Sequence, residues 1–424
     1  MLTGLLLFLL YTSLFLFILY RLSLASSFCL SYKKASLAFI VKIFAGCIYG
    51  YFFLHYYGGD DTWLYHNEAL KQYALLKNDP LHFFINDIIP KGYNSNQFLS
   101  IFNSSDSFAK DIELTLLLKL FGIFDLLSGG RYYVNVIFYE ALVFWGSYFL
   151  FKTFSMKYPE NRKLWLLFIF YFPPLLFWSS GLRKDGICFS VFCGLIYQLY
   201  YLFEVKFSAR RLLYFLCLFF LLFLIRNYVA LCFIPVTIAS ALIKQNKRHS
   251  FFKFSVILLF SGVMFFLTSF LPDGFNLPLK MAERQHAFLK LTGNSYLPIN
   301  VLQGNVYSYT MIFPQAINHV FVRPYYYEAR GMLDLFSFLE LLFFFFVAIR
   351  AIIKPSINFK KLINDPLLLS VFAIALLNYI IIGYTVPFLG AIVRYKSLFE
   401  ILLILVFIQL QDTNFIIKKR LFSV

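Results

Sequence analysis

Residues 212–243, LLYFLCLFFLLFLIRNYVALCFIPVTIASALI, decide how this chain is folded. A single membrane crossing takes about 20 apolar residues, and this run is longer. It is interrupted in the middle by Arg226-Asn227, with halves of 14 and 16 residues on either side. As α-helix, those halves span about 21 and 24 Å. The expectation is a hairpin of two helices with Arg226 at its tip. Further apolar runs cover 2–20, 36–56, 132–151, 164–180, 186–204, 251–271, 334–351, 366–384 and 391–411. Together they predict an all-α polytopic transmembrane bundle of about 11 helices, one domain over residues 1–424.

Charge separates the hairpin from a single crossing. With the hairpin, every basic cluster falls on one side: Arg21 with Lys33, Lys34 and Lys42, then Lys152 to Lys163, Lys206 to Arg211, Lys244 to Lys253, Arg350 to Lys361 and Lys418 to Arg420. That side carries 22 basic and 4 acidic residues, and the other 16 and 14. Lysine and arginine stay cytoplasmic, so the N-terminus is expected outside and the C-terminus inside. The expected location is a bacterial cytoplasmic membrane, multi-pass. Two long segments, 57–131 and 272–333, then lie outside. The first is expected to hold an interfacial helix from Leu64 (LYHNEALKQYALLKN) and an apolar partner, ELTLLLKLFGIFDLL at 113–127, too short to cross.

Composition agrees. The chain is 60% hydrophobic and 14% charged, against about 25% charged in an ordinary soluble domain. Its net charge of +17 sits in short clusters between apolar runs, the pattern of orientation signals, so nucleic-acid binding is excluded as a reading. The six cysteines lie in or beside apolar segments without a CxxC pair, as small hydrophobes do. The first 20 residues have no basic stretch ahead of the apolar run and no small-residue cleavage site, so a retained first helix is expected.

Polar clusters occur at the outer ends of spans. Tyr57-Gly58-Gly59-Asp60-Asp61-Thr62-Trp63 follows the second run. Its carboxylates are candidates for a general base toward a hydroxyl acceptor, or for holding a divalent cation. A second reading has Asp61 or Thr62 capping the next helix. Trp178 to Gly186 contains Arg183-Lys184-Asp185, expected on the outer face as a phosphate-binding turn or as headgroup snorkelling with an Arg183–Asp185 pair. Arg226, below headgroup level, faces a cavity or a partner such as Glu140 or Glu400. Arg323-Pro324-Tyr325 and Arg394-Tyr395-Lys396 each set a cation beside aromatic rings. Arginines fork phosphate, while Trp63 and Tyr395 offer faces to a sugar. These parts suit a lipid-linked sugar donor, a glycan or lipid acceptor and the surrounding membrane lipids, with no redox cofactor.

The pattern resembles the GT-C superfamily of polyprenyl-phosphate-dependent glycosyltransferases through YYGGDDTW at 56–63, with an extra helix ahead of that acidic loop. It also resembles bacterial envelope-polysaccharide membrane proteins through FWSSGLRKDG (177–186), FVRPYYYEA (321–329) and GAIVRYK (390–396). The resemblance implies a GT-C-like transferase with Asp60 or Asp61 as catalytic base. Arg183, Lys184, Arg226, Arg323, Arg394 and Lys396 would then bind the donor phosphate. An O-antigen-type polymerase, relying on arginines more than on one acidic loop, is the nearest alternative. A lipid or oligosaccharide flippase is the alternative from another class, although no inverted repeat is visible. No HExxH or Walker A motif occurs, which removes those metalloprotease and P-loop readings.

Overall fold

Proline, glycine and single charged residues set the helix boundaries seen in the computed structural model, which describes residues 2–85, 108–245, 248–293, 295–328 and 331–412. The described chain is all-helical, without a strand. Eight of its helices are long and apolar enough to cross a membrane, and the protein is a multi-pass membrane protein. All six cysteines are free.

The chain divides into two units, the first made of residues up to 98, 108–197 and 217–225, the second of the remainder. The first contains α1 (Leu2–Ser23), α2 (Tyr32–Tyr57), α3 (Asp61–Asn78), α4 (Pro80–Ile85), α5 (Phe108–Ser128), α6 (Tyr132–Lys157), α7 (Arg162–Tyr171), α8 (Pro173–Trp178) and most of α9 (Lys184–Tyr200). Helix α6 is its axis, packed against α1, α2, α5 and α7. Small residues let the backbones approach, as is common between membrane helices. A Cβ on Gly46 would sit 2.6 Å from Val136 Cγ1, and one on Gly50 would sit 2.7 Å from Tyr132 Oη. Helix α5 runs along α3 and is longer than the expected 113–127, but Asp111, Glu113, Lys119 and Asp125 set it apart from the apolar spans.

The expected span 164–180 is two pieces instead. Proline lacks the N–H that would continue a helix, and the residue before it prefers extended backbone. Phe172 is extended (φ −68°, ψ 113°) ahead of Pro173-Pro174, leaving helices of 10 and 6 residues. At about 15 and 9 Å, neither reaches across a bilayer by itself.

The second unit holds part of α10 (Ala209–Ile225), then α11 (Asn227–Gln245), α12 (Ser250–Leu267), α13 (Leu277–Leu289), α14 (Val306–Ile317), α15 (Met332–Ile353), α16 (Phe359–Leu362), α17 (Pro366–Thr385) and α18 (Leu389–Leu410). The break at Arg226 falls where the sequence places it. Helix α17 is the centre, packed against α11, α13, α14 and α18. Asp365 caps it, its Oδ1 accepting from the Leu367 N–H at 3.0 Å, and Pro366 occupies the first turn, where no N–H is needed. Tyr309 donates to the Pro278 carbonyl at 2.9 Å and Tyr384 to that of Tyr309 at 2.7 Å, tying α13, α14 and α17 together. Helix α18 has the length of a span but carries Arg394, Lys396 and Glu400.

Candidate functional site

In the first unit, the head of α3 is built by two glycines. Gly58 (φ 72°) and Gly59 (φ 118°) adopt backbone that side chains disfavour, and they turn the chain from α2 into α3. Asp60 follows in extended conformation and is the cap: its Oδ1 accepts from the Thr62 N–H at 2.9 Å. This corrects the capping expectation, which named Asp61 or Thr62. The other oxygen of Asp60 accepts from Tyr49 Oη at 2.7 Å. Thr62 is fully buried against Tyr132, oxygen to oxygen 2.9 Å. Trp63 donates from Nε1 to the Gly50 carbonyl at 2.9 Å and stacks on Tyr132 at 4.1 Å. Asp61 remains partly exposed in the first turn of α3, where the helix dipole favours an anion.

The divalent-cation expectation fits poorly. Both Asp60 oxygens are already hydrogen-bonded, and among the described residues no group of three or more His, Cys, Asp or Glu is arranged to hold a metal.

The 179–186 turn holds the Arg183–Asp185 pair of the second reading, with both side chains buried rather than snorkelling. Arg183 is fully buried. Its Nη2 donates to the Trp178 carbonyl at 2.9 Å, and its guanidinium lies 4.3 Å over the Tyr49 ring. Nη1 is 3.9 Å from Asp185 Oδ2. Gly181 (φ 81°) permits the turn, because a Cβ there would press on Tyr49. Tyr139 donates to the Arg183 carbonyl at 2.7 Å and accepts from the Gly186 N–H at 3.0 Å. Lys184 instead reaches Glu113 of α5 at 3.1 Å. Tyr49 therefore joins Arg183 to Asp60, the ring carrying the cation and the hydroxyl holding the acid. Nearby, burial pushes the Tyr65 hydroxyl up, with Lys184 opposing and Asp61, Glu113 and Asp185 adding.

Sequence reasoning missed the polar group beneath this head. His66 Nδ1 lies 3.8 Å from Asp125 Oδ1, which accepts from Asn135 Nδ2 at 2.6 Å. Burial holds His66 down to about 4. Burial also pushes Asp125 up to about 6, against the pull of the Asn135 hydrogen bond. The available signal was Asn135, a polar residue within an apolar run.

In the second unit, Arg226 and Arg394 meet at one ring: their guanidinium carbons lie 4.8 and 5.6 Å from the centre of Tyr395. Arg226 Nη1 also donates to Tyr228 Oη at 3.1 Å. A third arginine, unremarked in the sequence, completes the group. Arg284 of α13 lies 3.9 Å over Tyr228 and 5.8 Å from Phe288, whose ring is 6.4 Å from Tyr395. Glu400 lines a small cavity with Lys396 and Tyr379, and Glu140 is fully buried in α6.

The other expected cations lie apart from this group. Arg323 pairs with Glu328 at 3.1 Å and lies 5.3 Å from Tyr325 within its own turn. Lys396 is buried, donating to the carbonyls of Arg323 at 3.1 Å and Val320 at 3.4 Å. Of the residues singled out by sequence, Asp60, Asp61, Trp63, Arg183, Lys184 and Asp185 belong to the first unit, and Arg226, Arg323, Arg394, Tyr395 and Lys396 to the second. Compared with protein families, curated proteins and solved structures, the chain matches none.

Proposed function

We propose that the protein is a GT-C-like membrane glycosyltransferase that moves a sugar from a polyprenyl-phosphate-type donor to an envelope glycan or lipid acceptor. The reaction takes place on the outer face of a bacterial cytoplasmic membrane. The observation that carries this reading is the gathering of Arg226 and Arg394 at Tyr395, because guanidinium forks match phosphate geometry. In the reaction, the acceptor hydroxyl oxygen bonds to the anomeric carbon. The bond from that carbon to the donor phosphate oxygen breaks, and the phosphate leaves with the electron pair. The acceptor proton passes to a carboxylate. Asp61, partly exposed in the first turn of α3, is the candidate for that base. Asp60 and Trp63 position it.

The test is transfer of radiolabel from polyprenyl-phosphate sugars by purified protein in liposomes. Asp61→Asn is expected to lose about a hundredfold or more in turnover, the usual range for removing a general base. Full activity in that variant refutes Asp61 as base. No transfer from any phosphorylated lipid donor refutes the function.

One observation favours a second reading, an O-antigen-type polymerase: arginines are concentrated in the second unit, away from the acidic loop in sequence. A polymerase tolerates Asp61→Asn and loses repeat-unit joining with Arg226→Gln.

A further inference from the structure

We infer that Arg226, Arg284 and Arg394, with Tyr228 and Tyr395, form a site for a diphosphate group, so that the lipid bound here is diphosphate-linked. This rests on the transferase reading and specifies its donor. Arg284 carries the argument. Its guanidinium lies 3.9 Å over the Tyr228 ring, and its Nε is buried with no hydrogen-bond partner. The adjacent acid, Glu283, is taken by Lys280 at 2.8 Å, and no carboxylate pairs with Arg284 among the described residues.

The arginine is also held in place. Its neighbour Gln285 is fully buried, donating to the carbonyls of Asn300 at 3.1 Å and Tyr384 at 2.8 Å and accepting from the Leu302 N–H at 2.7 Å. Helix α13 is thereby pinned to the end of α17. The Tyr228 ring that carries Arg284 has the hydroxyl to which Arg226 donates, and Arg226 shares Tyr395 with Arg394. Three guanidinium groups thus gather around two tyrosines, offering more fork donors than one phosphate takes up. A phosphodiester brings one negative charge. A diphosphate diester brings twice that charge and twice the non-bridging oxygens, enough acceptors for more than one guanidinium fork. Arg284, Arg394, Tyr228 and Tyr395 are all partly exposed, so a ligand can reach them.

The test uses the full chain in detergent, titrated calorimetrically with inorganic pyrophosphate and with orthophosphate. Farnesyl diphosphate and farnesyl monophosphate then separate headgroup recognition from binding of the tail. The diphosphate member of each pair is expected to bind about tenfold tighter or more, a difference of about 1.4 kcal/mol. Arg284→Gln is expected to lose most of that preference and Arg284→Lys to keep part of it. Where Arg284→Gln fails to fold, Tyr228→Phe decides: it removes only the hydroxyl bonded to Arg226 and should weaken diphosphate binding several-fold. Equal affinity for both anions in the wild type overturns the inference, as does an undiminished preference in a folded Arg284→Gln or in Tyr228→Phe. Sugar transfer from a monophosphate donor without diphosphate preference would sink this site and leave the transferase standing. Diphosphate preference without transfer would do the reverse.

Discussion

Gly50→Ala adds one methyl group where α2 meets α6, and the structure sets its cost. The new Cβ would lie 2.7 Å from Tyr132 Oη and 2.8 Å from Tyr132 Cζ, closer than carbon atoms are found in folded proteins. Tyr132 cannot swing aside cheaply. It is 4% exposed, its hydroxyl is bonded to Thr62 at 2.9 Å, and its ring is stacked on Trp63 at 4.1 Å. Overpacking of this kind costs about 1–3 kcal/mol. Against it stands the better helix propensity of alanine, about 1 kcal/mol. Gly262→Ala in α12 isolates that second effect, because no atom lies within 4 Å of its Cβ position. Gly50→Ala should therefore be less stable than Gly262→Ala by about 1–3 kcal/mol, or a few degrees of Tm. Unfolding followed by tryptophan fluorescence in detergent measures both. Gly50→Ala should also blunt the emission change that Trp63 reports, since Trp63 bonds the Gly50 carbonyl. Equal melting of the two variants would refute the claim that Tyr132 is locked.

Other predictions concern the charged groups of the first unit. His66, depressed from 6.5 to about 4, stabilises the fold above pH 6.5 and loses that contribution as pH falls through 4. Asp125, raised from 3.8 to about 6, stabilises below 3.8 and loses that contribution as pH rises through 6. The two slopes oppose one another in the wild type. Relative to it, Asp125→Asn should gain stability as pH rises from 4 to 6 and His66→Gln should lose stability over the same range. Melting curves that shift in the same direction for both variants exclude this account. Arg183→Gln removes the buried cation that faces Asp185 and rests on Tyr49, and should cost about 3 kcal/mol or more. Lys184→Gln, at a pair whose lysine is 30% exposed, should cost about 1 kcal/mol or less; comparable melting of the two would contradict the burial argument. Asp60→Ala removes a helix cap and should cost about 1 kcal/mol, whereas Asp60→Asn keeps a capping oxygen and should melt near the wild type.

Asp60, Arg183 and Arg284 show how far each level of reading reaches. Sequence located the acidic turn through its paired glycines and singled out Arg183 by its charge, but it aimed Arg183 outward. The turn is buried because Gly181 and Gly186 bring it against Tyr49 and Tyr139, residues far away in the chain. The aromatic partners Tyr49 and Tyr132 were invisible among thirty tyrosines. Arg284 was missed because it sits in an amphipathic helix whose charges look solvated, and nothing local reveals that its ring partner lies at the start of α11.

What the sequence determined by itself was the helical, membrane-embedded character of the chain, the helix break at Arg226 and the sharp turn before α3. Each is a local matter of apolar run length, a charge in an apolar stretch, or a residue without a Cβ. Phe172-Pro173 belongs to the same class, and its break was there to be read. Only the tertiary structure decided which ring each guanidinium shares and that both oxygens of Asp60 are engaged. Those contacts join helices whose neighbours are chosen by packing across the bundle, and side-chain direction at such a contact depends on both partners together.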